Sequence, residues 1–581
     1  MSPHRVPHAS FDYIEGTMAD AEKKNAIPVV GRAASTSDSN GISYGECVSA
    51  VPAEQGDEYA AKEVSGGETV VPKGQLKRSF STRHVQMIAL GANIGSGVYI
   101  SSGKALRYGS APGMLIGYGL ICTMAMFMMN LLSEAQCLFP TSGSFIDHAS
   151  RFVDPALGFA LGFCEWFGAL TVVAAEGAVV PIVISYWNSS VPDAAWYTIY
   201  LVVVLGQHVL PNRVFAEFEF ATGALKVTIT FLVLFVMLII SCGFGGDAID
   251  RGYNYEALSA FPNGFKGVAI VFLLAAWATG GQEIIGISSG EARFPRWELP
   301  RACKNLGIRI VLIYISACVY ITVLVPYTDP LLLQGSGTVA ASPFIIAMKK
   351  VGIKVLPDIV NVVLLIGLAG IGSESMFTAS RIQTAMARMG MMPAIFGKVD
   401  SVGRPIYSNI ACAIISIVLT YINTSTGGAT AFTWFSSVSA TTTFFAWMTI
   451  PITNWFMHRA LEAQNDPSLT LKHAFRVRWY PFAPLFLFLT TLFTFACTIY
   501  TSASPIDGDA DPETFFETML CLPLFIVAFL GWKLFHKTKL QDPATADLRS
   551  GRRYLTEEEL AELDAYYSKP LWRRFLTYCT F

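Results

Sequence analysis

Two runs of small residues in this chain would expose backbone groups inside stretches that are otherwise apolar. The first is Leu90-Gly91-Ala92-Asn93-Ile94-Gly95-Ser96-Gly97-Val98, and the second is Ala276-Trp277-Ala278-Thr279-Gly280-Gly281-Gln282-Glu283. A helix restarting at Gly95, Ser96, Gly97 and Val98 offers free N–H groups and the positive end of its dipole, which suit a carboxylate. A helix ending at Thr279-Gly280-Gly281 leaves the carbonyls of Ala276, Trp277 and Ala278 open, which suit an ammonium group. Together the two breaks would hold both ends of a zwitterion. For either break alone, the competing reading is a glycine that permits close packing or a kink. Two breaks in matching halves of one chain point instead to the binding site of a secondary transporter.

Three ionisable residues add to this chemistry. Lys226 stands in an apolar run from Phe218 to Ile240, where a lysine is costly and marks function by default. Burial would let it exchange protons near neutrality; the alternative is an arm that snorkels to the interface. Glu165, in Gly162-Phe163-Cys164-Glu165-Trp166, and Glu374, in Gly372-Ser373-Glu374-Ser375-Met376, have no Lys or Arg one helical turn away. Facing a cavity, they would favour a cation. Facing the packing, each would be a structural carboxyl.

The elements that must position these residues are membrane helices. Of 581 residues, 52% are hydrophobic and 14% charged, against roughly 25% charged in soluble domains. At about 20 residues per span, twelve helices are expected, near 84–107, 112–137, 157–187, 195–210, 217–243, 266–291, 306–326, 356–387, 407–423, 431–457, 481–501 and 515–536. Ser342 to Val351 reads as a short helix outside the membrane. Residues 1–80 read as a disordered tail without a signal peptide, 81–536 as the transporter domain and 537–581 as a second tail. The eleven cysteines show no metal or disulfide spacing, so no metal and no cofactor are expected.

Basic residues set the orientation. Arg293, Arg296, Arg301, Lys304 and Arg309 follow span six; Arg388, Lys398 and Arg404 follow span eight; Arg459, Lys472, Arg476 and Arg478 follow span ten. The loop from Thr501 to Thr514 has none. These loops and both termini are therefore expected in the cytoplasm, although Lys104, Arg107, Lys349, Lys350 and Lys354 run against the bias. Asn188 and Asn423 open glycosylation sequons that would then lie outside.

The ordered motifs resemble the fungal amino acid permeases of the amino acid–polyamine–organocation (APC) superfamily, over roughly residues 77–575. They are Gly95-Ser96-Gly97, Phe139-Pro140-Thr141-Ser142-Gly143-Ser144-Phe145, Arg151-Phe152-Val153-Asp154-Pro155, Glu283-Ile284-Ile285-Gly286, Gly290-Glu291-Ala292, Ala379-Ser380-Arg381 and Asp547-Leu548-Arg549-Ser550-Gly551-Arg552. The resemblance implies an all-α polytopic membrane protein with a LeuT-like APC fold. That means twelve transmembrane helices, 5+5 inverted repeats, and broken helices one and six. It implies proton-coupled uptake across the plasma membrane, with Lys226 where sodium-coupled relatives hold a cation. Glu134, Glu176, Glu217, Glu219, Glu283 and Glu291 match glutamates of the family. Glu134 and Glu291 are expected as gate or fold residues, and Glu217 and Glu219 as interfacial.

Glu165 and Glu374 depart from the family, whose members typically carry Trp-Asn-Tyr-Trp and Asn-Ser-Ser at these places. Thr279-Gly280-Gly281-Gln282 also departs from Phe-Gln-Gly-Thr, so a bulky lid is lost and Trp277 is the candidate replacement. These departures widen the expected substrates to polyamines, carnitine or other cationic amines. Lys62, Lys73 and Lys77 are candidate acceptors for ubiquitin ligase machinery. Cys579 is a candidate for palmitoylation, or an unmodified thiol, and Thr556-Glu557-Glu558-Glu559 reads as a capping box. The expected partners are the amine or amino acid, protons and lipid, with no nucleic acid. The alternative function is a weakly transporting nutrient sensor on the same scaffold. A channel fits poorly, lacking a ring of like charges, and no enzyme fingerprint is present.

Overall fold

The structure, a computed structural model, describes residues 94–581 apart from 188–189, 289–298, 301–302, 304–306, 308–309, 335–341, 427, 507–509, 554–556, 571 and 575–581. All of these belong to the second of two compact units, Val70–Phe581. The first half of span one, Lys62, Lys73, Lys77, Asn188, Glu291, Thr556 and Cys579 lie outside the described residues.

The described residues are helical, with no strand among them. α1 runs Gly97–Leu138, 42 residues, about twice what one crossing needs. It is broken at Ser110, whose φ of 58° is rare for a residue with a Cβ, two residues before Pro112. The two arms occupy the first two expected spans. A short α2 (Ser144–Phe152) leads to α3 (Pro155–Ile184). Asp154 caps α3 by accepting from the Ala156 amide at 2.8 Å, with Pro155 at the first helical position. α4 (Asp193–Gly206) and α5 (Asn212–Ser241) follow, then the interrupted pair α6 (Gly264–Thr279) and α7 (Ile284–Ser288). α8 is Val311–Leu324. α9 is Pro343–Lys350, α10 Val355–Arg388, α11 Ile406–Thr426, α12 Gly428–Ala463 and α13 Phe482–Ala503. α14 (Pro512–Met519) and α15 (Cys521–His536) meet at a 64° bend. α16 spans Glu557–Tyr567.

Among the described residues, seven helices are long and apolar enough to cross a membrane, or eight counting the bent pair. Length and apolarity alone therefore do not recover all twelve expected spans. α1 holds two of them, α4 has only 14 residues, and α12 is diluted by serines and threonines. α3 packs against α10, α12, α15 and α11, while α1 packs against α6. Outward faces carry exposed Val202, Phe235, Val418, Leu489 and Val527, as a lipid-facing surface requires.

Two expectations change here. Glu219 is not interfacial but fully buried, because α5 begins at Asn212 and turns this residue inward. Asn423 is buried, and its Nδ2 donates to the Ala174 carbonyl at 3.1 Å. The atom that would carry a glycan is thus committed to α3. Glu134 is a fold residue, accepting from Asn454 Nδ2 at 2.7 Å, His458 Nε2 at 3.0 Å and the Val477 amide at 2.8 Å.

The segment after α15 is not a loose tail. Gln541 N–H donates to the Val153 carbonyl and Arg553 N–H to the Leu138 carbonyl. Gln464 Nε2 reaches the Ala546 carbonyl at 2.8 Å. Ala546 and Leu548 join an apolar cluster with Phe139, Phe152, Met457 and Leu461. Arg552 grips Asp466 with two nitrogens, one at 2.9 Å, and also donates to Ser468. Further on, Asp564 of α16 pairs with Lys472 at 2.8 Å and His473 at 2.5 Å.

Burial alone would raise the Asp466 carboxyl, but the hydrogen bonds from Arg552 and Ser468 and the Arg552 charge outweigh it and hold the group at about 2. A depressed carboxylate stabilises above its ordinary range and loses that contribution as pH falls through its folded value. The brace is therefore expected to stay docked at neutral pH and to loosen only below about 3.8, towards 2. Arg552→Ala removes charge-assisted bonds worth roughly 1.5–3 kcal/mol each. It should lower the melting temperature and expose residues near 541–553 to limited proteolysis; an unchanged digest would contradict the brace.

Candidate functional site

The two sequence breaks meet around one cavity of about 90 Å³, room for several waters. Gly95, Ser96 and Gly97 line it where α1 begins, so the amide end of that helix abuts the cavity. Val98 is buried beside them without lining it. On the other side stand Ala276, Trp277, Gly280 and Gly281. Gly281 has φ of 86°, a left-handed turn that only glycine adopts at no steric cost. It separates α6 from α7.

The carbonyl expectation is met only in part. Ala276 O accepts the Gly280 amide at 2.7 Å, and Ala278 O accepts the Tyr314 hydroxyl at 2.6 Å. The Gly281 N–H, which a continuous helix would give to Trp277 O, goes instead to Glu283 Oε1 at 3.3 Å. Trp277 O is therefore the carbonyl of the three that the break releases. Thr279 does not line the cavity: it is fully buried and its hydroxyl donates to Ala275 O. Trp277, half-buried on the cavity wall, stacks edge-on to Phe432 at 6.0 Å.

Gly97 does double duty. A Cβ there would lie 2.5 Å from the Ala278 Cα, so the close-packing reading applies at a glycine that also lines the cavity.

Four carboxyls line the cavity: Glu165, Glu176, Glu283 and Glu374, none more than 9% exposed. Glu176 Oε1 accepts from the Ser96 hydroxyl at 2.7 Å. Glu283 accepts from Gly281 N–H and from Trp447 Nε1, each at 3.3 Å. Glu176 Oε2, Glu165 Oε1 and both oxygens of Glu374 have no hydrogen-bond partner among the described residues. Buried orphan acceptors cost about 1–3 kcal/mol apiece, so a ligand with donors would relieve them.

Lys226 sits behind this wall, 2% exposed. Its arm lies against α10, where a Cβ on Gly367 would come within 3.0 Å of its Cδ and one on Gly370 within 3.5 Å of its Nζ. The arm is thus packed between helices rather than extended along an exposed face. Glu219, Glu374 and Glu176 surround it electrostatically.

Sequence reasoning passed over the wall from α12, where Ser439, Thr442 and Thr443 line the cavity. Their i, i+3, i+4 spacing in an apolar span was a readable signal. Ser375 and Thr378 of α10, flanking Glu374, were missed likewise.

The amino acid permease family profile matches residues 84–543. The chain belongs to the amino acid permease family. It is 34% identical over 509 residues to the general amino-acid permease GAP2 of Candida albicans, covering 86% of each chain. It is 33% identical to the S-adenosylmethionine permease GAP4 of the same organism, over 84% of this chain and 81% of that one. It is 32% identical to the lysine-specific permease LysP of Lactococcus lactis, over 82% of this chain and 93% of that one. The protein is a multi-pass membrane transporter of amino acids, a permease rather than an enzyme.

Because Gly97 faces a backbone atom, Gly97→Ala should force α1 and α6 apart at a cost of about 1–3 kcal/mol. Uptake should fall together with the melting temperature of the purified protein. Ser439→Ala, which touches the cavity but not this contact, should leave the melting temperature unchanged. Wild-type stability in the Gly97→Ala variant would remove the packing constraint.

Proposed function

We propose that this permease takes up cationic amino acids or closely related cationic amines, driven by protons, at the plasma membrane with both termini in the cytoplasm. The observation that carries this reading is the pair Glu165 and Glu374, both lining the cavity with unpartnered oxygens. Buried in low dielectric, two such groups favour a positive charge far more than they would in water. The amide end of α1 suits a carboxylate and the released Trp277 carbonyl suits an α-ammonium. A zwitterion with an extra positive charge thus uses every polar wall.

The names of two relatives lend support, since lysine and S-adenosylmethionine are both amino acids carrying an added cation. Carnitine offers a carboxylate and a fixed cation to the same walls; a polyamine offers cations alone and leaves the amide end of α1 unused. Lys226 is the proposed proton carrier, enclosed by protein and surrounded by carboxyls. Regulation through ubiquitin ligase machinery on the N-terminal lysines belongs to the same proposal.

Labelled lysine, spermidine, carnitine and leucine should be compared in transporter-deficient fungal cells at two external pH values. Lysine-class substrates are expected to accumulate best and faster at acidic pH. Preference for leucine would overturn the cationic reading. Lys226→Met should still equilibrate substrate yet fail to concentrate it; retained pH-dependent accumulation would remove Lys226 from the coupling step.

A further inference from the structure

The two carboxylates that set this chain apart from its family sit in different electrical surroundings. Glu374 lies on α10 one helical turn from Gly370, the residue against which the Lys226 Nζ packs. Its charged neighbours are Glu219 and Lys226, both from α5. Glu219 and Lys226 are themselves seven residues apart on one helix, two turns along the same face. Glu165 is elsewhere on the wall: its neighbours are Glu283 at the α6–α7 break and Cys521 of α15. No cation stands among those. Glu283 already holds two N–H donors, so Glu165 is the carboxyl on that side with unmet acceptor capacity.

We propose that these two glutamates divide the work: Glu374, beside Glu219, is a counter-ion of Lys226, and Glu165 is the residue that reads the substrate's distal cation. The assignment rests on the cationic substrate class argued above. A buried ammonium is stabilised by a nearby carboxylate and destabilised without one. Placing an extra carboxylate on α10 therefore keeps Lys226 able to hold its proton while the cavity is closed to water. Other groups face this cluster. Glu176 approaches from α3; Tyr200 of α4 lies against Gly372, and His208 meets the Ser373 carbonyl at 3.1 Å. Arg381 lies two turns along α10 itself. Of these, Glu176 holds Ser96 through Oε1 while its Oε2 has no partner, and Tyr200 donates to the Val173 carbonyl at 2.9 Å. Glu176 counts Lys226 among its charged neighbours, whereas Glu165 has no cation among its own, which leaves Glu165 to face the ligand's. Glu374 is thus a positioning residue for the proton carrier and Glu165 a binding residue.

The test measures two quantities in whole cells for Glu374→Gln and Glu165→Gln. These are the external pH of half-maximal lysine uptake and the preference for lysine over leucine. Glu374→Gln should move the pH midpoint to more acidic values by about one unit, since the ammonium loses a neighbouring carboxylate. Its lysine preference should stay within about twofold of wild type. Glu165→Gln should keep the midpoint and lose about tenfold in lysine preference, the worth of one charge-assisted hydrogen bond. Glu374→Asp should restore the midpoint. Adding Glu374→Gln to Lys226→Gln should produce no further shift, which separates a counter-ion from a merely structural carboxyl. Loss of lysine preference in Glu374→Gln with the midpoint unmoved would overturn the division, as would two variants indistinguishable from each other. If the wild type prefers leucine, the cationic reading falls, while the midpoint in Glu374→Gln still decides the counter-ion role.

Discussion

The approach of α1 to α6 at Gly97 and Ala278 governs the rest of the site. Where two helices come this close, one must present no side chain at all, and Gly97 meets the Ala278 backbone. That contact holds the amide end of α1 and the α6–α7 break on opposite walls of one small cavity. Were they further apart, neither could touch the same ligand. Gly281 then supplies the turn that stops α6 facing the cavity, and Tyr314 fixes that stop by donating to Ala278 O. Backbone groups, whose positions are set by packing, thus face the cavity beside side chains from α3 and α10.

Charge is the second constraint. Four carboxyls around the cavity and a fifth, Glu219, behind it greatly outnumber the one lysine among them. Glu283 has both oxygens occupied by N–H donors and Glu176 has one occupied by a hydroxyl, which makes them more tolerable as buried groups. The remainder can be accommodated only through Lys226, through a bound proton or through a cationic ligand. A proton and a cationic substrate would, on the proposed function, act on the same electrostatic deficit, which would couple the two.

Much of the helical layout was readable beforehand, because long apolar runs and Gly-Gly breaks are local signals. The α6–α7 interruption, the short helix at Pro343–Lys350 and the inward lysine all followed from such signals. What stayed hidden depends on distant partners. The Ala278 carbonyl looked open because Tyr314 lies 36 positions away. Glu219 was expected at the interface, yet the face it occupies is set by the packing of α5 on α10. Asn423 matched a sequon, yet α3 claims its amide. The hydroxyl wall from α12 reads in sequence as mild polarity and becomes a surface only when α3 and α10 are brought opposite it.

The docked segment at 541–553 also bears on how the protein is made. Arg151 donates to the Ser550 carbonyl across 399 positions of chain, and Phe139 and Phe152 share an apolar cluster with Ala546 and Leu548. During translation those aromatic rings emerge from the ribosome long before the residues that cover them exist. Until codon 553 has been read, this end of the bundle presents an uncovered greasy patch beside unpaired polar groups. A chain halted short of that point therefore lacks the cover that the finished protein places over these rings.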